Sequence, residues 1–250
     1  MKTASIRTQA LTIGYEGQTV VENIELQAYP GQIISVLGPN GAGKTTLIRT
    51  LMGQLPPICG RIELGGTPLS DLSDRQVASR LAVVLTERPE PELMCCKELV
   101  ALGRYPYTGR LGLLSAEDWQ KVAEAMALVG VSELADRDFD RISDGQRQRV
   151  LLARAICQEP EVLILDEPTS YLDLKHKLEF MQLLKRLSRE RDLAVLMSIH
   201  ELTLARNYSD EVVCLRDGRV DRSGPAGEVL TADYVEQLFD LSPGSAKMFL

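Results

Sequence analysis

The chain has 250 residues, of which 44% are hydrophobic and 25% are charged, and this composition excludes a disordered or fibrous protein. Its formal net charge of −7 disfavours nucleic-acid binding through bulk electrostatics. The 5 cysteines form no CxxC pair, which favours a reducing compartment over a disulfide or zinc framework. We expect neither a signal peptide nor a membrane span, because no apolar run approaches the ~20 residues that cross a bilayer.

The N-terminal part predicts short strands, then a further strand, a glycine-rich loop and a helix. Residues 10–13 and 19–26 are rich in strand-forming residues, and residues 33–37 form a β-branched apolar run. After the glycine-rich loop, apolar residues recur with helical spacing, which predicts a helix over residues 44–55.

The middle of the chain, from about residue 87 to residue 159, lacks strand-forming runs and is predicted to be helical. The helical patterns cover residues 96–102, 116–129 and 147–158. Residues 162–165 then form the continuous apolar run that is typical of a parallel strand buried on both faces.

The C-terminal part alternates again between helix and strand. A helix is predicted over residues 174–189, a strand over 193–199, and a hairpin that begins with residues 211–215 and turns at Asp217-Gly218. Two short helical patterns follow in the tail. Strands that alternate with helices predict an α/β fold, and the helical middle is interpreted as an insertion into it.

One glycine-rich segment matches the pattern GxxxxGK[ST] and lies between a predicted strand and a predicted helix, which is the context of a P-loop. Inward-facing backbone N–H groups and a helix N-terminus form an anion site there. We expect Lys44 to reach the β- and γ-phosphates of a nucleotide, Thr45 to hold Mg²⁺, and Thr46 to act on the α-phosphate side. The motif residues are Gly38, Pro39, Asn40, Gly41, Ala42, Gly43, Lys44 and Thr45.

A pair of carboxylates, Asp166 and Glu167, follows the apolar run at residues 162–165. Open α/β sheets bind ligands at the carboxyl ends of their strands. Asp166 is therefore predicted to coordinate Mg²⁺, and Glu167 to act as the general base or to position the attacking water. A solvated acidic pair is the alternative, and the P-loop upstream makes it the minor one.

A second helix start of phosphate-binding type lies at Ser143-Asp144-Gly145-Gln146. Ser143 is a good N-cap, and Gly145 permits close backbone approach. One nucleotide does not easily occupy two helix starts. A second copy of the chain, which lends this helix to the nucleotide of the first, resolves the difficulty.

With these segments in place, the sequence resembles the ATP-binding subunits of ABC transporters over nearly its whole length. The motifs occur in the family's order, with a signature at residues 142–146, a D-loop at residues 171–173 and a switch histidine. The resemblance implies one ABC ATPase domain over residues 1–250 with a P-loop NTPase fold. It implies a RecA-like parallel core with an antiparallel β subdomain over residues 1–87 and 160–222, an inserted helical signature subdomain over 88–159 and a helical tail over 223–250.

The resemblance also implies that ATP is bound between two copies. Tyr15 is similar to the aromatic residue that stacks on adenine. Ser143, Gly145 and Gln146 are similar to the signature residues that contact the γ-phosphate held by the other copy.

Two residues complete the site that the resemblance implies. Asp173 is similar to the D-loop aspartate, which communicates across the dimer interface, and His200 is similar to the switch histidine, which contacts the γ-phosphate. Together with Lys44 and Glu167, His200 forms the expected catalytic set for ATP hydrolysis with Mg²⁺. The other histidine, His176, is predicted to lie on an exposed helix and receives no role.

Two positions depart from the family's pattern. Thr86 follows the strand-like residues 81–85, where the family has a glutamine that contacts Mg²⁺, so either the Thr86 hydroxyl or the Glu87 carboxylate is expected to replace that ligand. Asp144 replaces a signature glycine. A carboxylate would repel the γ-phosphate, so we expect the Asp144 side chain to point away from it.

Residues 98–107 and 115–118 resemble the ATPase subunits of importers for iron-siderophore complexes, haem and cobalamin. This resemblance implies integral membrane permease subunits as partners, an external substrate-binding protein as an indirect partner, and no nucleic acid. It implies docking through residues 88–107 and a peripheral position on the cytoplasmic face of the cell membrane.

Three other functions remain open. A soluble ABC-type ATPase of translation or repair usually has two cassettes or long inserted arms, and this sequence has neither. A P-loop kinase needs an acceptor pocket and no signature helix. A scaffold without catalysis is disfavoured by the presence of Glu167, although the missing glutamine at position 86 keeps it open.

Overall fold

The structure is a computed structural model that describes residues 3–86, 94–109 and 111–248. Within these ranges, 11 strands form one sheet in the order β6-β5-β1-β2-β11-β10-β4-β9-β8-β7, with β3 paired to β1. The strands are β1 Ile6–Tyr15, β2 Gln18–Ile24, β3 Gln27–Ala28, β4 Ile33–Leu37, β5 Cys59–Leu64, β6 Thr67–Pro68, β7 Leu81–Val84, β8 Val162–Asp166, β9 Ala194–Ser198, β10 Glu211–Arg216 and β11 Arg219–Pro225. The helices are α1 Lys44–Leu51, α2 Asp74–Ala78, α3 Cys96–Ala101, α4 Ala116–Leu128, α5 Asp144–Cys157, α6 Leu174–Glu190, α7 Leu202–Tyr208, α8 Ala226–Val229 and α9 Ala232–Leu238.

The centre of the sheet is parallel: β7, β8, β9, β4 and β10 lie side by side and run in the same direction. Every residue of β4, β8 and β9 is buried. Leu163 and Leu165 of β8 pack in one hydrophobic cluster, whereas Val162 and Ile164 pack in another. Because successive side chains of a strand point to opposite faces, the apolar run at residues 162–165 corresponds to a strand that is covered on both sides.

The edge of the sheet beyond β11 contains the antiparallel strands. β1 pairs with β2, β3 and β5, and β5 pairs with β6. The predicted hairpin is formed by β10 and β11, whose turn residues Asp217 and Gly218 both have positive φ, at 49° and 74°. Two positive φ angles match the two-residue turn that connects tightly paired strands.

Helices α3, α4 and α5 pack on one another and against one face of the sheet. The buried guanidinium of Arg104 joins α4 to the end of α5. It pairs with Asp118 of α4 at 3.0 Å and donates to the carbonyl of Cys157, the last residue of α5, at 2.8 Å. Arg104 also pairs with Glu159 at 2.9 Å. Hydrogen bonds from Ser115, together with Arg104, hold the pKa of Asp118 below its usual value.

Some predicted helices end earlier in the structure than in the sequence pattern, and for α1 and α3 the local conformation shows why. The helix predicted over residues 44–55 ends at Leu51, because Gly53 adopts a φ of 78° that ends an α-helix. The helix predicted over residues 96–102 ends at Ala101 and continues as a 3₁₀ helix, Leu102–Tyr107, that includes Pro106. In the described ranges, no helix is both long enough and apolar enough to cross a membrane.

Candidate nucleotide-binding site

The candidate site lies at the carboxyl ends of three neighbouring parallel strands. β4 leads into the glycine-rich loop, β8 ends in Asp166 followed by Glu167, and β9 ends two residues before His200. Since parallel strands end at the same edge of a sheet, the fold brings together residues as distant in the sequence as Gly38 and His200.

The glycine-rich loop is shaped by close packing against two other strands. Gly43 has a φ of 99° at the start of α1, and a Cβ atom there would lie 2.5 Å from Cγ2 of Val21. A Cβ atom on Gly38 would lie 2.3 Å from the Leu215 carbonyl oxygen. Both positions therefore require glycine, because any larger residue would collide with the neighbouring strands.

The Lys44 ammonium lies against this loop. Its Nζ atom donates to the carbonyl oxygens of Gly38 at 2.8 Å and Pro39 at 3.1 Å. Burial lowers the pKa of Lys44, while the carboxylates of Glu167 and Asp166 act in the opposite direction. The structure thus places one ammonium close to both carboxylates at the start of a helix, as the binding of a phosphate chain with a divalent cation requires.

Glu167 is held at its backbone and at both carboxylate oxygens. Its φ of 47° is left-handed, and its N–H donates to Oγ of Ser198 at 2.9 Å. Oε1 lies 2.6 Å from Nε2 of His200, and Oε2 accepts a hydrogen bond from Ser170 at 3.0 Å. Left-handed residues other than glycine concentrate at functional sites, where the surrounding structure imposes the conformation.

Asp166 accepts a hydrogen bond at its side chain from Ser198 and another at its backbone carbonyl from Thr86. The fully buried Ser198 donates to Oδ1 of Asp166 at 2.6 Å, and the Thr86 hydroxyl donates to the Asp166 carbonyl at 2.8 Å. Glu87, the alternative to Thr86, lies outside the described residues. The sequence analysis missed Ser198. A single polar residue in the otherwise apolar predicted strand 193–199 was the pattern that could have indicated it.

Tyr15 ends β1 beside the first turn of α1. The Thr46 hydroxyl donates to the Tyr15 hydroxyl at 3.3 Å, and 42% of Tyr15 is exposed. Thr45 is exposed on the same turn. The structure therefore brings the predicted adenine-stacking ring to the phosphate loop and leaves it accessible.

The signature residues form the first turn of α5. The Ser143 side chain accepts a hydrogen bond from the Gln146 backbone at 3.4 Å, and the Gln146 side chain accepts one from the Ser143 backbone at 3.0 Å. This reciprocal capping satisfies two backbone N–H groups at the helix start. The Asp144 carboxylate lies 3.9 Å from Arg147, one turn along the same helix, and stays largely exposed.

Asp173 is the N-cap of α6. Its Oδ1 atom accepts from the backbone N–H of His176 at 2.9 Å and lies 2.8 Å from Nδ1 of the same histidine. These hydrogen bonds hold the pKa of Asp173 below its usual value. Tyr171, two residues before Asp173, and Leu174, directly after it, are 56% and 72% exposed, so two exposed apolar side chains lie close to this cap in the sequence.

The predicted residues fall into two groups. Hydrogen bonds and electrostatic contacts connect Tyr15 to the phosphate loop, and they connect Lys44, Asp166, Glu167, Thr86 and His200 at the strand ends. The second group comprises Ser143, Gly145, Gln146 and Asp173, which lie at the starts of α5 and α6.

A glycine-rich loop between a parallel strand and a helix, next to a strand that ends in carboxylates, defines the class of P-loop NTPases. Within that class, the chain belongs to the ABC transporter family, whose model matches residues 21–170. The resemblance to ATP-binding subunits of ABC transporters is thereby confirmed, and with it ATP binding and ATPase activity coupled to transport.

The comparisons extend over most of the chain. The iron(3+)-hydroxamate import ATP-binding protein FhuC of Bacillus subtilis is 38% identical over 238 residues, which are 95% of this chain and 88% of that protein. An inward-facing metal-chelate type ABC transporter matches with a TM-score of 0.84 and 26% identity, covering 95% of this chain and 89% of that one. A dimeric bacterial ABC transporter cassette matches with a TM-score of 0.76 and 26% identity, covering 88% and 98%.

Proposed function

We propose that the chain powers an importer for metal chelates of the iron-siderophore, haem or cobalamin type. Two copies enclose ATP between them, and its hydrolysis drives membrane permease subunits that receive their cargo from an external substrate-binding protein. The observation that carries the proposal is that one chain has two helix starts of the type suited to phosphate, at Lys44 and Ser143. Similarity to an iron-hydroxamate import protein and to a metal-chelate transporter supports the class of cargo.

We propose Thr45 and Asp166 as ligands of Mg²⁺, with Thr86 as a further oxygen donor. The described residues contain no group of three or more His, Cys, Asp or Glu side chains that could hold a metal by itself. Mg²⁺ is commonly held by one or two protein oxygens together with substrate phosphates, and the exposed Thr45 hydroxyl and the oriented Asp166 carboxylate are suited to that arrangement. When bound, the ion neutralises charge on the phosphate oxygens.

The side chains at the strand ends divide the remaining chemistry among them. The loop N–H groups and Lys44 stabilise the phosphate charge, and Tyr15 stacks on adenine. Glu167 takes the proton of the attacking water or orients that water, and His200 contacts the γ-phosphate. In the structure Oε1 of Glu167 is hydrogen-bonded to His200, which connects the proposed base with the proposed switch histidine.

The second copy supplies the other half of the site in this proposal. Ser143, Gly145 and Gln146 of one copy contact the γ-phosphate held by the other, and Asp173 lies at the interface. The reciprocal cap at the start of α5 and the exposed apolar side chains near Asp173 support this role. The similar cassette that is dimeric supports it as well.

We propose that the chain occupies the cytoplasmic face of the cell membrane as a peripheral subunit. Large apolar side chains are exposed between residues 105 and 119: Tyr105 is 64% exposed, Leu111 83%, Leu113 74% and Trp119 41%. An exposed apolar surface of this kind is typical of a protein interface. It extends the docking segment that the resemblance implies at residues 88–107, of which residues 88–93 lie outside the described part.

The proposed subdomains keep the boundaries expected from the resemblance. The β subdomain and RecA-like core comprise residues 1–87 and 160–222, and the helical signature subdomain comprises residues 88–159. Mutual packing of α3, α4 and α5 supports the second unit. The proposed tail, residues 223–250, includes the end of β11 before its first helix at Ala226.

Affinity purification from gently solubilised membranes tests the transport function. We expect the tagged chain to recover a polytopic membrane protein at equal stoichiometry. The double variant Tyr105→Ser/Trp119→Ser should lose most of that protein, because it removes apolar contact area. The matched control Leu241→Ser, which removes an apolar side chain that is 38% exposed in the tail, should not. Recovery of soluble partners or ribosomes alone would instead favour a soluble ABC-type ATPase.

The variant Thr86→Ala tests the departure at the glutamine position. If the Thr86 hydroxyl serves the metal, its removal should raise the Mg²⁺ concentration needed for half-maximal turnover by about tenfold, the scale of a lost supporting ligand. Titration of ATPase activity with Mg²⁺ measures this effect. An unchanged titration for Thr86→Ala, together with a large shift for Glu87→Ala, would transfer the role to Glu87.

A further inference from the structure

The imidazole ring of His176 covers the signature at Gly145. A Cβ atom on Gly145 would lie 2.9 Å from Cδ2 of His176 and 3.1 Å from Cγ. Real Cβ atoms almost never approach another atom as closely as the first of these distances, and the second is tighter than most real contacts, so the ring occupies space that a side chain at position 145 would need. The ring belongs to the first turn of α6, whereas Gly145 belongs to the first turn of α5.

The same ring is fixed on its other side by Asp173. Nδ1 of His176 lies 2.8 Å from Oδ1 of Asp173, and that oxygen also caps the backbone N–H of His176 at 2.9 Å. The ring cannot turn away from Gly145 without losing its contact with Asp173. One side chain therefore connects the D-loop aspartate with the signature glycine inside a single chain.

Further contacts hold α6 against the helical part of the chain. Glu179 pairs with Arg149 of α5 at 2.7 Å, and Arg186 donates to the carbonyl of Leu128 at the end of α4 at 3.0 Å. Positions 176, 179 and 186 lie on one side of a helix that has 3.6 residues per turn. The starts of α5 and α6 are consequently kept in a fixed register.

The next residue of α6 faces a different part of the site. Lys177 pairs with Glu201, the neighbour of His200, and Thr169 donates to the same carboxylate at 3.0 Å. Burial raises the pKa of Glu201, but the hydrogen bonds from Lys177 and Thr169 outweigh it and leave the pKa lowered. The first turn of α6 thus contacts the signature through His176 and the segment of the switch histidine through Lys177.

We propose that His176 is a positioning residue for ATP hydrolysis. It fixes the signature turn against Asp173, so that one copy presents both elements to the nucleotide of the other in a single geometry. The inference rests on the proposed function, because it requires the signature to act on ATP in a dimer. In this proposal His176 acts through Gly145 and Asp173, and not by contact with the reacting phosphate or the water.

Steady-state kinetics of His176→Ala test the proposal. We expect kcat to fall by about tenfold to a hundredfold, the scale that a misplacement of about 1 Å produces, while ATP binding to the single chain and the melting temperature stay unchanged. His176→Asn, whose side-chain amide can still donate to Asp173, should recover part of kcat. Lys175→Ala is the matched control, because its side chain is 78% exposed on the same helical turn and its ion pair with Glu179 is long, at 3.9 Å. The proposal would be overturned if His176→Ala kept the wild-type kcat. It would also be overturned if kcat fell only together with the melting temperature, as a loss of folded protein would produce.

A double variant tests whether position 145 needs glycine because of the His176 ring or for another reason. Gly145→Ala should weaken ATP-dependent dimerisation in a Glu167→Gln background, and adding His176→Ala should restore part of it by removing the ring that clashes with the new Cβ. Additive losses in the double variant would contradict the positioning role. Failure of Glu167→Gln alone to form an ATP-dependent dimer would instead refute the proposed function.

Discussion

The Glu167→Gln variant is expected to bind ATP, to hydrolyse it about 10²- to 10⁴-fold more slowly and to accumulate as an ATP-bound dimer, because general base catalysis contributes on that scale. Glutamine keeps the shape of the side chain and one of the oxygens that now contact His200 and Ser170. It cannot take a proton from water. Phosphate release measures the turnover, and light scattering after size-exclusion chromatography measures the dimer.

The control for this experiment is Glu190→Gln, which removes an exposed carboxylate at the end of α6. We expect the control to hydrolyse ATP at the wild-type rate and to dissociate after turnover. Wild-type turnover in Glu167→Gln would show that another group acts on the water.

The second large effect is expected for Lys44→Ala, which should raise the Kd for ATP by about tenfold to a hundredfold. A hydrogen bond to a charged group contributes about 1.5–3 kcal/mol, and 1.4 kcal/mol corresponds to a factor of about ten. Loss of the ammonium also leaves Asp166 and Glu167 without the nearby positive charge, so both carboxylates would repel the phosphates more strongly.

Calorimetric titration with ATP measures this affinity, and the melting temperature of each variant shows whether the loop has remained folded. Lys175→Ala, at a largely exposed position, serves as the comparison for the loss of one lysine. Unchanged ATP affinity in Lys44→Ala would contradict the assignment of the phosphate loop.

The sequence predicted the parallel core well because its strands are buried on both faces. Such strands leave a continuous apolar run, as at residues 162–165, and the run is visible without any tertiary information. β5 was not predicted, because Cys59–Leu64 contains glycine and two charged residues and has three exposed positions at its start. Its strand conformation depends on pairing with β1, which no local pattern reveals.

The residues of the phosphate loop were found because their pattern is local. Ser198 was missed because its importance depends on Asp166, which comes from another strand. The contact between His176 and Gly145 could not be predicted locally either, because the two residues belong to different helices. The expected role of Thr86 as an oxygen donor stays a prediction. The structure adds that its hydroxyl proton is directed at the Asp166 carbonyl.

The complete burial of β4, β8 and β9 has a consequence for measurements of motion. Amides in such strands exchange with solvent only through global unfolding, whereas amides at loops and helix starts exchange through local opening. The centre of the sheet therefore provides an internal reference for global unfolding in a hydrogen-exchange experiment. If ATP slows amide exchange at the starts of α5 and α6 more than in these strands, the nucleotide orders the helix starts locally. If ATP slows exchange equally everywhere, it only raises the overall stability.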